Sequence, residues 1–563
     1  MNPLKFLSFL LLFIIISCSS EQKKAKTDTI KILLPMDPER LNPVYDPRSI
    51  GREVFQYLHL PLADYHPEKL KLYPILIEEI PTLKVDEKGS FYKLNFKKEA
   101  TWNDGTPITT KDYEFTIKSV LHPETVIKSW KPYIRKINDL EIIDDHSCKV
   151  YVDDTYMLSL EITCTPYLLP FHSYPKGMDI MKLSLQEIKE LTDESNPELA
   201  EFINEFNDPK NYKGSLGNGP YTLKDWVTDQ KVSLEKTPEF WGAESKDNPF
   251  LAANIDKMEF VILADELAAV TAFKDGQLDV IKGLSAANFK QLNEGYPEAE
   301  YLTSPSTRLY YLALNNKDKL LKDPSIRKAL AALTNVESMI DNIEFGYGVA
   351  LTGPIHPDQG AYNERLSSQI YNPEKAREIL KSAGWKDTNS DGTIDKMVDG
   401  VQEELVLDIL ITGSDLGKKI ALLLQDETKK LGIGINIVPK DIRRMRKENL
   451  YNYNFDIAAL AATVDLAPID PYRRWHSDNI DAKGNNVSGY NSSAADSLIN
   501  LIRETRNIEE RERISEEFHE IVYNDQPVIF LYAPTYKVAI NKNFKGTVTS
   551  KRPGYLANTF KVL

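Results

Sequence analysis

The sequence predicts an α/β protein carrying a mixed α+β insertion. Between Leu405 and Pro439 a strand, a helix and a second strand follow one another at the spacing of a βαβ unit, with two capped amphipathic helices not far before it. "LVLDILIT" (Leu405 to Thr412) alternates apolar residues, Ser414 can cap a helix bearing Ile420, Leu423, Leu424 and Leu431, and Gly432 stops it before "IGINIVP". A helical crossover of that length lays the second strand parallel to the first. In "NPEKAREILKSAG", Asn372 is the cap, Pro373 opens the first turn, Ala376, Ile379, Leu380 and Ala383 share a face, and Gly384 ends the helix. "SIRKALAAL" sets Ile326, Ala329, Leu330 and Leu333 at helical spacing.

The remaining elements follow in chain order. "TIKILLPM" (Thr29 to Met36) is a strand running into the turn-rich "DPERLNP". From Leu72 to Val120, polar turns such as "DEKGS" and "WNDGTP" separate strand-like segments including "FYKLNF". The helix "TTKDYEFTIKSVL" follows, with Tyr113, Ile117 and Val120 on one face, which makes this stretch the α+β insertion. "EIKELTDESNPELAEFINEF" is dense in charge and predicts a polar surface helix. "KMEFVILAD" alternates Met258, Phe260 and Ile262 as a strand does, then gives way to a helix stopping at Gly276. No internal repeat or low-complexity tract occurs.

The apolar run Phe6 to Ile16 is about ten residues long, whereas a spanning helix needs about 20, so residues 1–17 read as a signal peptide. Ile15-Ile16-Ser17-Cys18 resembles the lipobox of bacterial lipoproteins, which implies cleavage before Cys18 and diacylglycerol on its thiol. Two or more acyl chains hold a protein stably at a membrane. Ser19 to Thr29 is then a flexible leash, giving a lipidated tether over 18–29.

At 563 residues the chain suggests roughly three to four domain equivalents. Hydrophobic content of 42% supplies a large core, and the net charge of −14 argues against a nucleic-acid partner, which needs a basic surface. Cys148 and Cys164 are either a disulfide, permitted by an exported location, or two buried thiols. Neither a CxxC pair nor an HExxH helix exists, the eight histidines are scattered, and no GxSxG elbow or triad pattern marks a hydrolase. An enzyme is not expected. "DTNSDGTID" has calcium-loop order, with Asp387, Asn389, Asp391, Thr393 and Asp395 at alternate positions, but Val398 stands where the bidentate glutamate belongs. A weak structural calcium site and a metal-free turn both fit, and no other cofactor is expected.

"WNDGTPITTKDYEFTIKSV", "GNGPYTLKDWVTDQKVSLEKTPEFWG", "FKDGQLDV", "DPSIRKALAALTN" and "YNPEKAREILKSAGW" occur in this order. Together they resemble the family 5 extracellular solute-binding proteins, the peptide and dipeptide receptors of bacterial ABC importers, from about Ile30 to the C-terminus. Asn218 departs from the pattern, standing where threonine is usual. The resemblance implies a two-lobed, periplasmic-binding-protein-like fold of class II, cluster C type. Lobe I would comprise 30–60, 209–304 and 527–563, the inserted α+β subdomain 61–208, and lobe II 305–526. Such lobes close on a ligand about a hinge.

The function implied is that of a monomeric, lipid-anchored receptor on the periplasmic side of the cell envelope. It would hand a small peptide to ABC permease and ATPase subunits; an oligosaccharide, opine or metal chelate is the alternative ligand. In "AATVDLAPIDPYRRWH", Asp465 resembles the family aspartate that pairs with a peptide's α-ammonium, and Thr463 and Val464 would offer backbone groups. Ala462 stands where an aromatic is common, and the spacing to Asp470 is longer than usual. Met36, Asp37 and Glu39 match the facing loop of lobe I.

Overall fold

The strand, helix and strand after Leu405 form as their pattern dictates. In the computed structural model, which describes residues 29–44, 50–127, 130–191, 199–208, 216–245, 247–367, 371–464, 470–480 and 485–563, Val406–Ile411 and Gly434–Pro439 pair in parallel. Helix Asp415–Lys429 joins them, its first turn capped by the Ser414 hydroxyl, which accepts from the Gly417 N–H at 3.3 Å. Gly432 turns the chain out of the helix at φ +74°, and a Cβ there would also meet the Gly392 carbonyl at 2.9 Å, so glycine is needed twice over. Helix Pro373–Ser382 is capped by Asn372, which accepts from the Lys375 N–H at 2.9 Å.

Two large sheets organise the chain. The first has eight strands and includes Thr29–Leu34, Lys257–Ile262, Val280–Lys282, Ala299–Pro305 and Tyr532–Asn541. Thr29–Leu34 runs parallel to both Lys257–Ile262 and Val280–Lys282; two antiparallel pairings through Tyr532–Asn541 then make Ala299–Pro305 run the same way. Leu34, Ile262, Lys282 and Pro305 therefore end at one edge. The second sheet has five strands in the order Gly434–Pro439, Val406–Ile411, Ile457–Thr463, Arg308–Leu314, Val528–Phe530.

The chain passes between these sheets at Ser306–Thr307 and again at Leu531, whose N–H donates to the Tyr310 carbonyl at 3.0 Å. Because Arg308–Leu314 enters at the crossing and is antiparallel to Ile457–Thr463, the carboxyl ends Thr463, Ile411 and Pro439 also lie there. Both lobes thus turn the carboxyl edges of their parallel strands toward the hinge, the side on which open α/β sheets bind ligands.

Two expectations need correction. The tail from 527 does not belong wholly to lobe I, since Val528–Phe530 pairs with Arg308–Leu314 in the lobe II sheet and only Tyr532–Asn541 returns. The charge-dense segment is not a surface helix either. Helices Leu185–Glu190 and Ala200–Asn207 sink Phe202, Ile203 and Phe206 into the core of the insertion, with Phe202 5.7 Å from the Phe115 ring centre. Three apolar residues at i, i+1 and i+4 suffice to bury one side of a short helix however charged the other side is. Cys148 and Cys164 are free buried thiols; burial pushes the Cys148 thiol up to about 12.

A histidine in helix Ile508–Asp525 sets a pH dependence. The fully buried His519 has Nε2 3.1 Å from the Thr352 hydroxyl, and burial, only partly opposed by its bond to Thr352, lowers its pKa to about 4. The unfolded chain, with a histidine near the ordinary value, binds the proton first as pH falls. Stability from this group is therefore full above about pH 6.5 and declines toward pH 4, by about 3 kcal/mol over that interval. Urea unfolding at pH 7 and pH 4.5 is expected to show a smaller acid loss in His519→Gln than in the wild type; equal losses would remove His519 as the cause.

Candidate functional site: the interlobe cleft

The cleft is walled by the two carboxyl edges. On lobe I, the loop after Thr29–Leu34 leaves Met36 59% exposed, and Glu39 is exposed at φ +57°. Asp37 is not free for a ligand: one carboxylate oxygen accepts from Trp226 Nε1 at 3.1 Å and the Asp229 N–H at 2.9 Å, the other from the Glu39 N–H at 2.9 Å. Its role here is to hold the loop against the hairpin that carries Trp226.

On lobe II, Ala461 and Thr463 are exposed and Ala462 is half-buried. Val464 differs from expectation, since its side chain lies in an apolar cluster with Met157, Leu309, Leu351 and Trp475 and its N–H donates to the Thr307 carbonyl at 2.9 Å. Asp465 lies outside the described residues, directly after this wall. Asp470 accepts from the Tyr472 N–H at 3.0 Å and stands 3.3 Å from Arg503 Nε, which leaves it a structural partner.

Among the described residues, one edge of this wall is open. Ile457–Thr463 pairs with Arg308–Leu314 along its whole length, but its pairing with Val406–Ile411 stops at Leu410↔Ala458. Among the described residues, no strand covers that second edge from Ala459 to Thr463. Unpaired strand edges carry rows of donors and acceptors that recruit an extended chain.

The strand pair also brings in residues that motif reading passed over. Arg308 lies opposite Thr463, and its guanidinium carbon sits 5.3 Å from the centre of the Tyr310 ring. Tyr310 in turn meets Tyr532 edge-on with ring centres 5.3 Å apart, and the Tyr532 hydroxyl donates to Glu344 at 3.4 Å. The only sequence signal for them was the alternating run "STRLYYLAL", which reads as an ordinary strand.

A buried clasp spans the crossing. His356 Nε2 lies 2.9 Å from the Ser306 carbonyl while Nδ1 accepts from the Asp358 N–H at 3.1 Å, a pattern that assigns the proton to Nε2. Burial holds this imidazole below its ordinary range despite the nearby Asp358. Asp358 accepts from Ser550, whose Oγ is 3.2 Å from that of Ser304, so the clasp ties a lobe II loop to the lobe I tail.

Two other features lie away from the cleft. A groove of about 730 Å³, lined by residues including His66, Lys236, Asp247 and Lys561, sits at the opposite edge of the lobe I sheet, where strand Lys231–Lys236 ends. In the Asp387 loop the side chains bond their own turn: Asp387 accepts from the Ser390 and Gly392 N–H groups at 2.6 and 3.0 Å, Asn389 from the Asp391 N–H at 3.0 Å, and Asp391 from the Thr393 N–H at 2.8 Å. Asp395 is taken up by Thr388 and Gln402, and hydrogen bonds from Thr388 hold its carboxyl below the usual range.

Among the described residues, no three His, Cys, Asp or Glu side chains group as a metal site. Calcium at its dissociation constant is expected to add only about 0.4 kcal/mol. A large calcium-dependent rise in melting temperature, lost in Asp387→Ala, would overturn that expectation.

The family described as "Bacterial extracellular solute-binding proteins, family 5 Middle" matches residues 71–483. Among curated relatives, the oligopeptide-binding protein AppA of Bacillus subtilis is 27% identical over 91% of this chain and 87% of its own length. The solved structure of Bacillus subtilis AppA in complex with a nonapeptide aligns over 95% of this chain and 99% of its own, with 23% identity and a TM-score of 0.67. NikA of Brucella suis in complex with Fe(III)-EDTA aligns over 95% and 100%, with 16% identity and a TM-score of 0.75. No described helix is long and apolar enough to cross a membrane. A match across most of the chain, carried on a two-lobed fold whose strand ends converge on one hinge, assigns this protein to the family 5 bacterial extracellular solute-binding proteins.

Proposed function

We propose that this protein is the substrate-binding receptor of an ABC import system, lipid-anchored through Cys18 on the extracytoplasmic side of the membrane, and that its ligand is a peptide. It acts as a monomer, carries no catalytic machinery, and delivers its cargo to a membrane permease coupled to ATPase subunits. The observation that supports a peptide above all others is the uncovered edge of Ile457–Thr463 between Ala459 and Thr463, at the hinge end of its sheet. An extended peptide laid there gains main-chain hydrogen bonds that do not depend on its sequence. Asp465, next along the chain, takes the α-ammonium, because a cation drawn into a closed cleft needs a fixed anion. The ligands named for AppA and NikA, a nonapeptide and a metal chelate, define the two readings to separate.

The test is mass spectrometry of the small molecules released when protein purified from its native membrane is denatured. Peptides support this reading; a metal chelate, opine or oligosaccharide as the sole released species overturns it. The intact-protein spectrum also reads the acyl mass on Cys18.

A further inference from the structure

Among the described residues, Arg308 is a cation without an anion. The chain holds 83 acidic and 69 basic side chains, yet among the described residues no carboxylate lies within ion-pair distance of this guanidinium, whose one recorded partner is the Tyr310 ring. Position makes this informative. Arg308, Tyr310, Leu312 and Leu314 share a face of their strand; Leu312 and Leu314 are 0% exposed beneath the lobe II core, whereas Arg308 is exposed at the hinge end. Thr463 and Ala461, in register with Arg308 and Tyr310, share that bare face and are exposed too.

The side chain is also held. Its guanidinium carbon lies over the Tyr310 ring, which is itself packed edge-on against Tyr532, and this cation–π contact favours one placement of the side chain. The planar fork of donors on a guanidinium matches two oxygens on one carbon, and the Thr463 hydroxyl adds a third donor on the same face.

On the reading of the cleft as a peptide site, we propose that Arg308 and Thr463 form a carboxylate-binding site for the ligand. The carboxylate is supplied by the peptide's C-terminus or by an aspartate or glutamate side chain. Tyr310 is the positioning residue.

The probes are tetra-alanine, its C-terminal amide, and the amide with one alanine replaced by glutamate. They are titrated calorimetrically into ligand-stripped, refolded full-length protein. Wild type is expected to bind the free acid roughly ten- to hundredfold more tightly than the plain amide, the range for a charge-assisted hydrogen-bond pair. Arg308→Gln is expected to bind the two alike, with Arg308→Lys and Thr463→Val in between. Recovery of affinity by the glutamate-containing amide assigns the site to side-chain carboxylates; no recovery assigns it to the C-terminus.

Equal wild-type affinity for all three probes overturns the Arg308 site and leaves the peptide reading standing. Wild type that binds none of them overturns both. Should Arg308→Gln fail to fold, Arg308→Lys and Thr463→Val decide, and undiminished discrimination in both overturns the site. Equal loss for acid and amide in a well-folded Arg308→Gln would show a merely structural role and overturn it as well.

Discussion

Replacing Asp64 by asparagine is expected to cost about 3 to 5 kcal/mol of folding stability, the range for breaking one side of a buried ion pair. Asp64 Oδ2 lies 2.6 Å from Lys551 Nζ and 3.4 Å from an Arg52 nitrogen, and Lys551 also donates to the Tyr65 carbonyl at 2.8 Å. Removing the anion strands the Lys551 ammonium and takes a second cation, Arg52, from its carboxylate, where the insertion meets both ends of lobe I. The partners respond unequally: burial pulls Lys551 down to about 8 despite Asp64, whereas Asp64 stays below its ordinary range although burial opposes this. The carboxylate stays ionised because it faces two cations. Urea midpoints of the wild type, Asp64→Asn, Lys551→Met and the Asp64→Leu, Lys551→Met double variant measure the effect. The double variant should be more stable than Asp64→Asn, because it removes the Lys551 ammonium together with its anion. A loss under about 1 kcal/mol in Asp64→Asn would show that water reaches the site and replaces the carboxylate.

The second large effect concerns ligand capture. Asp465→Asn keeps the side chain's shape and loses its charge, and truncating one member of a desolvated charge pair weakens binding by about 2 to 5 kcal/mol. Acetylating the peptide's amino terminus removes the cation from the other side. The two losses should therefore be far from additive: the wild type discriminates strongly against acetylated peptide and the variant does not. Calorimetry on the two-by-two set decides, with a peptide identified from released ligand. Equal wild-type affinity for free and acetylated peptide would remove Asp465 as the amino-terminal anchor.

What could be read ahead of the structure was whatever is local. Ser414, Asn372, Gly384 and Gly432 mark helix ends through bonds and dihedrals within a few residues of themselves, so the βαβ unit and its neighbours followed from spacing alone. The burial of Phe202, Ile203 and Phe206 was hidden because surrounding glutamates outweigh a short apolar stripe in any composition window. Long-range partners left no local trace. Asp64 and Lys551 are 487 positions apart, and nothing about either predicts the other. At the cleft, the resemblance pointed to Thr463, which ends strand Ile457–Thr463. The role proposed for Arg308, however, rests on register with a strand far along the chain and on a sheet end that no described strand covers, which are properties of the assembled sheet.

The position of Tyr532–Asn541 in its sheet bears on how the molecule is made. This strand lies between Val280–Lys282 and Ala299–Pro305, although it is synthesised long after both. Until it arrives, the two earlier strands face each other across a gap one strand wide, with unpaired edges exposed to any other chain. The lobe I sheet therefore closes only when nearly the whole polypeptide has emerged, and its long-range pairing makes this closure a slow step that local helix formation cannot hasten. A chain truncated before Tyr532 should retain a folded insertion and an aggregation-prone lobe I remnant. Delayed closure would also suit the extracytoplasmic location proposed above, since a chain whose last strand completes the sheet stays open longest while it is being delivered.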